Sequence, residues 1–454
     1  MPRPKKSNQP GKPRNKRDDR PRGKHGRGSS RNDKSKSSKS GTFDIKVKAM
    51  ANGGYALGLH NKRTTFVPYT IPGETVKVRL VETRSNVDFA TGVEMLSASA
   101  DRVFPQCPHF GPSRCWGCQW QHIDYKAQLL LKQDVLADQL YRIGNFQDRV
   151  IEKAMKAVKP SAQQWGYNSH MTFERNVDGH LGLPKVDGRS IQAIETCHIL
   201  HPDLQTLYDI IEIDFDDMKK LALWRGSGGE TMIIITMTSE DAPELTADLP
   251  TSVNVILSDN EPVNLVGDSM IYYEVGKRLF RVTAGGYFRA NVAQIDNLIA
   301  EVLAMLYLSE DDSVLDLYAG VGVFSAFIAQ HAGLVTLVES YPPTATDAEE
   351  NLKDFDNIDI IEGSVESVLP SLIAAGERYE AAVIDPPSRG LSREVLESLV
   401  TLNIPKLAYI SSDPASLARD AQALCKRGYT LKKVQPFDFA PQTYYIDAVA
   451  LLEK

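Results

Sequence analysis

The run Val314-Leu-Asp-Leu-Tyr-Ala-Gly-Val-Gly-Val-Phe324 constrains this chain more than any other stretch. Its apolar start, Ser313 to Leu317, predicts a buried parallel strand, and the residues from Phe324 to Gln330 predict a helix. Between them, Ala319-Gly320-Val321-Gly322 predicts a turn whose glycines let the backbone pass close to a ligand and pack helix against strand. A second apolar run, Gly333 to Val338, ends on Glu339, 19 residues beyond Gly320. An acid at the tip of the second strand is placed to hold the paired hydroxyls of a ribose. Asp385, in Ile384-Asp-Pro-Pro387, closes a further apolar strand. The three features in this order predict a Rossmann-like α/β sheet with a nucleoside-bearing ligand at its carboxyl edge. A strand-turn-helix with no ligand is the plainer alternative.

At 454 residues the chain has room for two to four domains. No apolar run approaches the 18 or so residues of a membrane span, and the basic start lacks the apolar segment of a secretory signal. A cytoplasmic protein with no membrane partner is therefore expected. Five cysteines, three of them in Cys107-x7-Cys115-x2-Cys118, point to metal rather than disulfides. The net charge of −6 conceals two opposed parts. Residues 1–40 carry 15 Lys/Arg against 3 Asp, a net of +12, and the rest carries 37 against 55, a net of −18. The tail is too polar to order itself. Its Arg/Gly pieces, such as Arg22 to Gly28, suit phosphate contacts without sequence preference or a solvated solubility tail alike.

From Phe43 to Ala98 short alternating segments are punctuated by Gly53-Gly54 and Ile71-Pro-Gly73, which predicts a small barrel. The cysteine segment follows, and Cys-x2-Cys spacing suits zinc or an iron–sulfur cluster. Cys197 is the candidate fourth ligand, and His109 and His198 keep zinc open. Tyr125 to Ile143 has helical apolar spacing and carries Lys126 and Lys132. Turns at Val177-Asp-Gly179 and Val186-Asp-Gly188, with apolar runs at Met232–Thr236 and Val253–Leu257, predict an α+β middle region. A helix from Val292 to Leu306 opens the last region.

The order GGYALG…TTFVPYTIPGETVKVRL is similar to a TRAM domain, an OB-like RNA-binding barrel. With GCQWQH, YKAQLLLKQ, LDLYAGVGVF, DPPSRG and YISSDPASLARD, residues 41–454 resemble the uracil-C5 RNA methyltransferases, specifically the iron–sulfur branch acting on ribosomal RNA. The glycine loop has one residue fewer than a dinucleotide fingerprint needs, which fits S-adenosylmethionine (SAM) rather than a nicotinamide. The resemblance implies a multidomain α/β architecture. It comprises a basic tail (1–40), a TRAM barrel (41–100), a cysteine-bearing α+β middle domain (101–280) and a Rossmann-like methyltransferase domain (281–454). It further implies a [4Fe–4S] cluster on Cys107, Cys115, Cys118 and Cys197, zinc being the alternative, with a structural role in RNA binding. SAM is expected at Arg289, Tyr318, Gly320, Gly322, Glu339 and Asp385, and the expected partner is RNA, in particular ribosomal RNA.

C5 of uracil is a poor nucleophile. The family's solution is to add a cysteine thiolate to C6, let C5 take the methyl group, remove the C5 proton with a carboxylate and eliminate the thiol. Here the pattern Tyr-Val-Ser-Cys-Asn-Pro has become Tyr409-Ile-Ser-Ser-Asp-Pro414, so Ser412 occupies the nucleophile position. The closing His-Val-Glu pattern has become Tyr445-Ile-Asp447, which places Asp447 at the base position. Phe-Phe-Gln-Val-Asn reads Tyr287-Phe-Arg-Ala-Asn291, Val323 stands for an asparagine, and Asp-Pro-Pro-Arg is offset to Asp385-Pro-Pro-Ser-Arg389. A hydroxyl is far less acidic than a thiol and needs a strong adjacent base. Cys425 is a replacement nucleophile only if it does not lie in a helix core. Two readings follow: an RNA methyltransferase with impaired or altered chemistry, or a non-catalytic RNA-binding protein on a methyltransferase scaffold. An iron–sulfur redox protein is a third.

Overall fold

The computed structural model describes residues 41–212, 215, 217–245 and 250–454; the basic tail, residues 1–40, lies outside them. Five strands close into a barrel in the order Thr42–Met50, Ala56–His60, Arg63–Val67, Val87–Ser97 and Thr75–Arg84, the last pairing back onto the first. Alternation along these strands sends Ile45, Val47, Val76 and Val78 inward. Glu74, from the Pro-Gly turn, accepts the backbone N–H groups of Ile71 and Ser99 and both arms of Arg102. That clasp fixes the direction in which the chain leaves the barrel.

A second sheet has seven strands in the order Pro262–Val266, Ser252–Ile256, Thr231–Met237, Met218–Arg225, His170–Arg175, Leu181–Pro184 and Ile191–Ala193. The expected turns at Gly179 and Gly188 both have positive φ and join its last strands. The hairpin Met270–Val275 with Arg278–Thr283 follows, and a domain boundary at residue 280 would cut its second strand. Its inward residues Tyr273, Phe280 and Val282 share a core with Leu298, Val314 and Leu337, so the hairpin packs with the C-terminal region.

That region holds the third sheet, ordered Ile358–Glu362, Leu334–Glu339, Ser313–Leu317, Ala381–Ile384, Lys406–Ser411, Asp447–Glu453 and Thr430–Phe437. The first five strands are parallel, and Asp447–Glu453 runs antiparallel to both its neighbours. The chain winds outward from Ser313–Leu317, then returns to Ala381–Ile384 on its other side. This reversal of strand order opens a crevice beyond the carboxyl ends of the two strands. The helix expected from Phe324 to Gln330 spans Val323–Ile328. The helix expected from Val292 begins as a 3-10 turn, Val292–Gln294, and becomes α over Ile295–Leu306. Gln294 Nε2 donates to the carbonyls of Lys159, Pro160 and Asp438, which ties that first turn to its neighbours.

Residues 41–454 pack as one compact unit. A continuous apolar core runs from Val47 and Val78 of the barrel through Trp120 and Leu136 to Leu417 and Leu424. Helix Tyr125–Arg142 carries this continuity by lying against helix Pro414–Cys425. Lys132 does not face water. It sits three and four residues before Val135 and Leu136 on the apolar stripe, with 0 % of its side chain exposed.

Candidate active site and cysteine cavity

Tyr318 and Asp385 directly follow the two strands that flank the crevice. Tyr318 adopts φ 59°, a left-handed conformation uncommon for a residue with a side chain, and so turns the chain sharply off the strand. Gly320 also has φ 59°, and a Cβ there would meet no atom within 4 Å, because its open side faces the crevice. Gly322 serves packing instead: a Cβ would come within 2.6 Å of Leu352. Glu339 accepts the Gly320 N–H at 2.9 Å through Oε2 and the N–H groups of Ser340 and Tyr341 at 2.7 Å through Oε1. The acid predicted for a ribose thus also holds the glycine loop and the start of the next helix.

Arg289 reaches the same crevice from the loop ahead of Val292. It donates to both carboxylate oxygens of Asp385, at 2.9 and 2.8 Å, and to Asp447 Oδ1 at 2.6 Å. Its guanidinium also lies over Phe439, 5.1 Å from the ring centre. Burial pushes the Asp447 carboxyl up, and the Arg289 charge opposes that shift. Asp447 opens the last strand, at the end of the loop 438–446. Lys132 anchors that loop by donating to Asp438 Oδ1 at 2.7 Å, the Ala440 carbonyl at 3.0 Å and the Tyr445 carbonyl at 2.7 Å.

Ser412 is exposed in the loop between strand Lys406–Ser411 and helix Pro414–Cys425. Asp413 caps that helix through the Ser416 N–H at 2.7 Å, and Asn52 of the barrel reaches its other oxygen at 3.4 Å. Buried Asp420 joins this loop to the Asp-Pro-Pro loop by accepting from Tyr409 Oη and the Leu391 N–H, both at 2.8 Å. The sequence motifs around Asp385 and Ser412 therefore form one physical clasp. Among the described residues the Ser412 hydroxyl has no hydrogen-bond partner, so no base sits beside it. Cys425 is half-buried at the far end of the same helix, roughly 18 Å from its start at 1.5 Å per residue.

Arg289, Tyr318, Gly320, Glu339, Asp385 and Ser412 line one cavity of about 510 Å³. Asp447 joins it through Arg289, and Gly322 stays behind the loop. Sequence reasoning passed over Tyr287 and Tyr341, which also line it, and the anchor Lys132. The signal for Lys132 was a charge on the apolar stripe of its helix. It also passed over Asp316, inside the defining strand and fully buried. Burial pushes this carboxyl up to about 7; Ser325 Oγ donates to Oδ2 at 2.7 Å, while Oδ1 has no partner.

Cys107, Cys115, Cys118 and Cys197 all line a second cavity with His109 and His198, and none is in a disulfide. Burial raises all four thiols, Cys115 to about 11 and Cys197 to about 12, and neighbouring sulfurs raise Cys115, Cys118 and Cys197 further. The three closely spaced cysteines and Cys197 thus line one cavity. Among the described residues, however, no three His, Cys, Asp or Glu side chains are grouped as a preformed metal-ion site. A single zinc ion, held at about 2.3 Å by each sulfur, needs that tight convergence. Four free thiols around one cavity are a donor set that either zinc or a thiolate-bound cluster would use. No described helix is long and apolar enough to cross a membrane.

Residues 272–454 match the family model of tRNA (uracil-5-)-methyltransferases, and residues 39–93 match that of the TRAM domain. An uncharacterised RNA methyltransferase of Streptomyces avermitilis is 31 % identical over 426 residues, covering 90 % of this chain and 98 % of the relative. One from Streptomyces coelicolor is 32 % identical over 426 residues, covering 90 % and 92 %. Among solved structures, the tRNA (uracil-54, C5)-methyltransferase of Pyrococcus abyssi, in complex with S-adenosyl-L-homocysteine, superposes with a TM-score of 0.68. It is 20 % identical, over 90 % of this chain and all of that one, and so shares the fold. With barrel, methyltransferase sheet and full-length relatives in agreement, the chain belongs to the uracil-5 family of RNA methyltransferases and carries a TRAM domain.

Proposed function

We propose that this chain is a SAM-dependent methyltransferase of ribosomal RNA, directed at C5 of a uracil, with chemistry altered by Ser412. The observation that carries the reading is the convergence of Arg289, Tyr318, Gly320, Glu339, Asp385 and Ser412 on one cavity at the reversal point of the sheet. SAM, when bound, supplies the methyl group. Glu339 and the open Gly320 backbone are the groups proposed to take its ribose, with Tyr318 and Asp385 flanking it. Ser412, at the cavity rim, faces the RNA base. For Oγ to bond to C6, its proton must leave, and solvent takes it because no base sits beside the exposed hydroxyl. Asp447 is the proposed acceptor of the C5 proton, after which the serine oxygen departs and takes a proton back from solvent. Arg289 holds Asp447 as a buried ion pair, which opposes the rise that burial gives its carboxyl. Slow methyl transfer is expected from the poorly acidic Ser412 hydroxyl.

The four cysteines are proposed to hold a [4Fe–4S] cluster that shapes the RNA-facing surface, in a cytoplasmic setting that keeps thiols reduced. Their shared cavity and free thiols support this. The test is incubation of anaerobically purified protein with tritium-labelled SAM and undermethylated ribosomal RNA, with Ser412→Cys in parallel. Label in RNA from the unaltered protein, rising with Ser412→Cys, is expected. No label from either, with RNA still bound, would overturn the proposal in favour of a binding protein on this scaffold.

A further inference from the structure

A third cavity, of about 350 Å³, shares no lining residue with the candidate active site. Pockets of this size suit small ligands or single nucleotides. Phe104 stands at its edge with 93 % of its surface exposed, far from the burial usual for phenylalanine. Trp165 and Tyr125 supply further aromatic wall, and Lys126 at the rim has no ion-pair partner among the described residues. Gln442 is only 4 % exposed. Its Oε1 accepts from Gln128 and its N–H donates to Gln128 Oε1, both at 2.9 Å, yet its side-chain NH₂ has no protein acceptor among the described residues. Gln442 lines the cavity beside these aromatic rings, so its amide is a hydrogen-bond donor available to a group placed there.

We propose that this cavity takes one unpaired nucleotide of the RNA substrate, its base against Phe104 and Trp165, its edge on Gln442 and its phosphate near Lys126. Unpaired bases stack on exposed aromatics and pair through amide side chains, whereas a duplex keeps both its faces and edges occupied. The inference rests on the RNA methyltransferase reading. It adds a second contact, on the loop that carries Asp447, through which a flanking nucleotide would set the register of the target base. Gln121 lines this cavity and the cysteine cavity together, and its Oε1 accepts the Cys107 N–H at 3.1 Å. Gln121 is therefore shared between the cysteine cavity and the proposed nucleotide site.

The test uses the full chain, with a short single-stranded RNA carrying 4-thiouridine and the corresponding duplex. Photocrosslinks are expected at Phe104 or Trp165 with the single strand and not with the duplex. Phe104→Ala should weaken single-strand binding roughly five-fold or more while the salt slope stays the same. Lys126→Gln should instead reduce that slope by about one unit or slightly less. Because Phe104 is exposed, its substitution should leave thermal unfolding unchanged. Equal single-strand affinity for Phe104→Ala, with no crosslink in this cavity, would overturn the proposal even if methyl transfer to ribosomal RNA is observed. Crosslinks here without any methyl transfer would uphold the nucleotide site while the catalytic reading fails.

Discussion

Arg289 and Asp447 meet at 2.6 Å inside the crevice, and the same guanidinium holds Asp385 through both its carboxylate oxygens. One cation thus spans the acid that follows strand Ala381–Ile384 and the acid at the base position. Removing it leaves buried Asp447 and half-buried Asp385 without their shared cation. Breaking a buried pair of this kind costs about 3–5 kcal/mol. Arg289→Leu should lower the midpoint of denaturant unfolding accordingly at neutral pH and recover part of the loss at acid pH, where the carboxylates are protonated. An unchanged midpoint would mean that the pair contributes nothing net.

Lys132 and Asp438 are both fully buried, and the lysine also holds two carbonyls of the loop leading to Asp447. Lys132→Met should destabilise the protein by about 3–5 kcal/mol because Asp438 is left uncompensated. Adding Asp438→Asn should restore much of that stability. Equal loss in the single and double variants, in urea unfolding curves, would show that the pair is not the anchor.

Asp316 has a carboxyl pushed up to about 7, from an ordinary value near 3.8. A carboxyl raised on folding favours the native state below the unfolded value, and that contribution is lost as pH rises through the folded value. Asp316→Asn keeps a partner for Ser325 and removes the loss. Its stability relative to the unaltered chain should therefore climb between about pH 4 and 7, by roughly 2–4 kcal/mol, and level off above. A difference that does not vary with pH, in melting curves across that range, would rule out the shift.

The cysteine centre predicts a metal dependence. Anaerobic reconstitution with iron and sulfide should give the broad visible absorbance of a cluster, and Cys118→Ser should abolish it. Thiols raised by burial must be deprotonated to bind, so uptake should release protons and weaken as pH falls. Tight binding of zinc at one ion per chain, with no cluster formed, would reverse the assignment.

The basic tail, residues 1–40, carries a net charge of +12. Its deletion should flatten the dependence of RNA affinity on salt concentration. An unchanged slope would assign the phosphate contacts to the barrel and middle region.

Sequence periodicity determined the strands, the glycine turn and the barrel, because these arise from local patterns of two and 3.6 residues. Ser313–Leu317 appears where the apolar run placed it, and Glu339 ends its strand as expected. Arg289, Tyr318, Gly320, Glu339, Asp385 and Ser412, singled out by motif order, line one cavity, whereas Gly322 lies behind it. What the sequence could not contain was the pairing of charges across the chain. Arg289 and Asp447 are 158 residues apart, and Lys132 and Asp438 are 306 apart. A charge reads as solvent-facing in any local window, and only the packed core decides which charges lose their water and must find one another. The same holds for the domains: the apolar core running from Val47 through Leu136 to Leu424 joins three segments whose patterns, taken singly, describe separate folds.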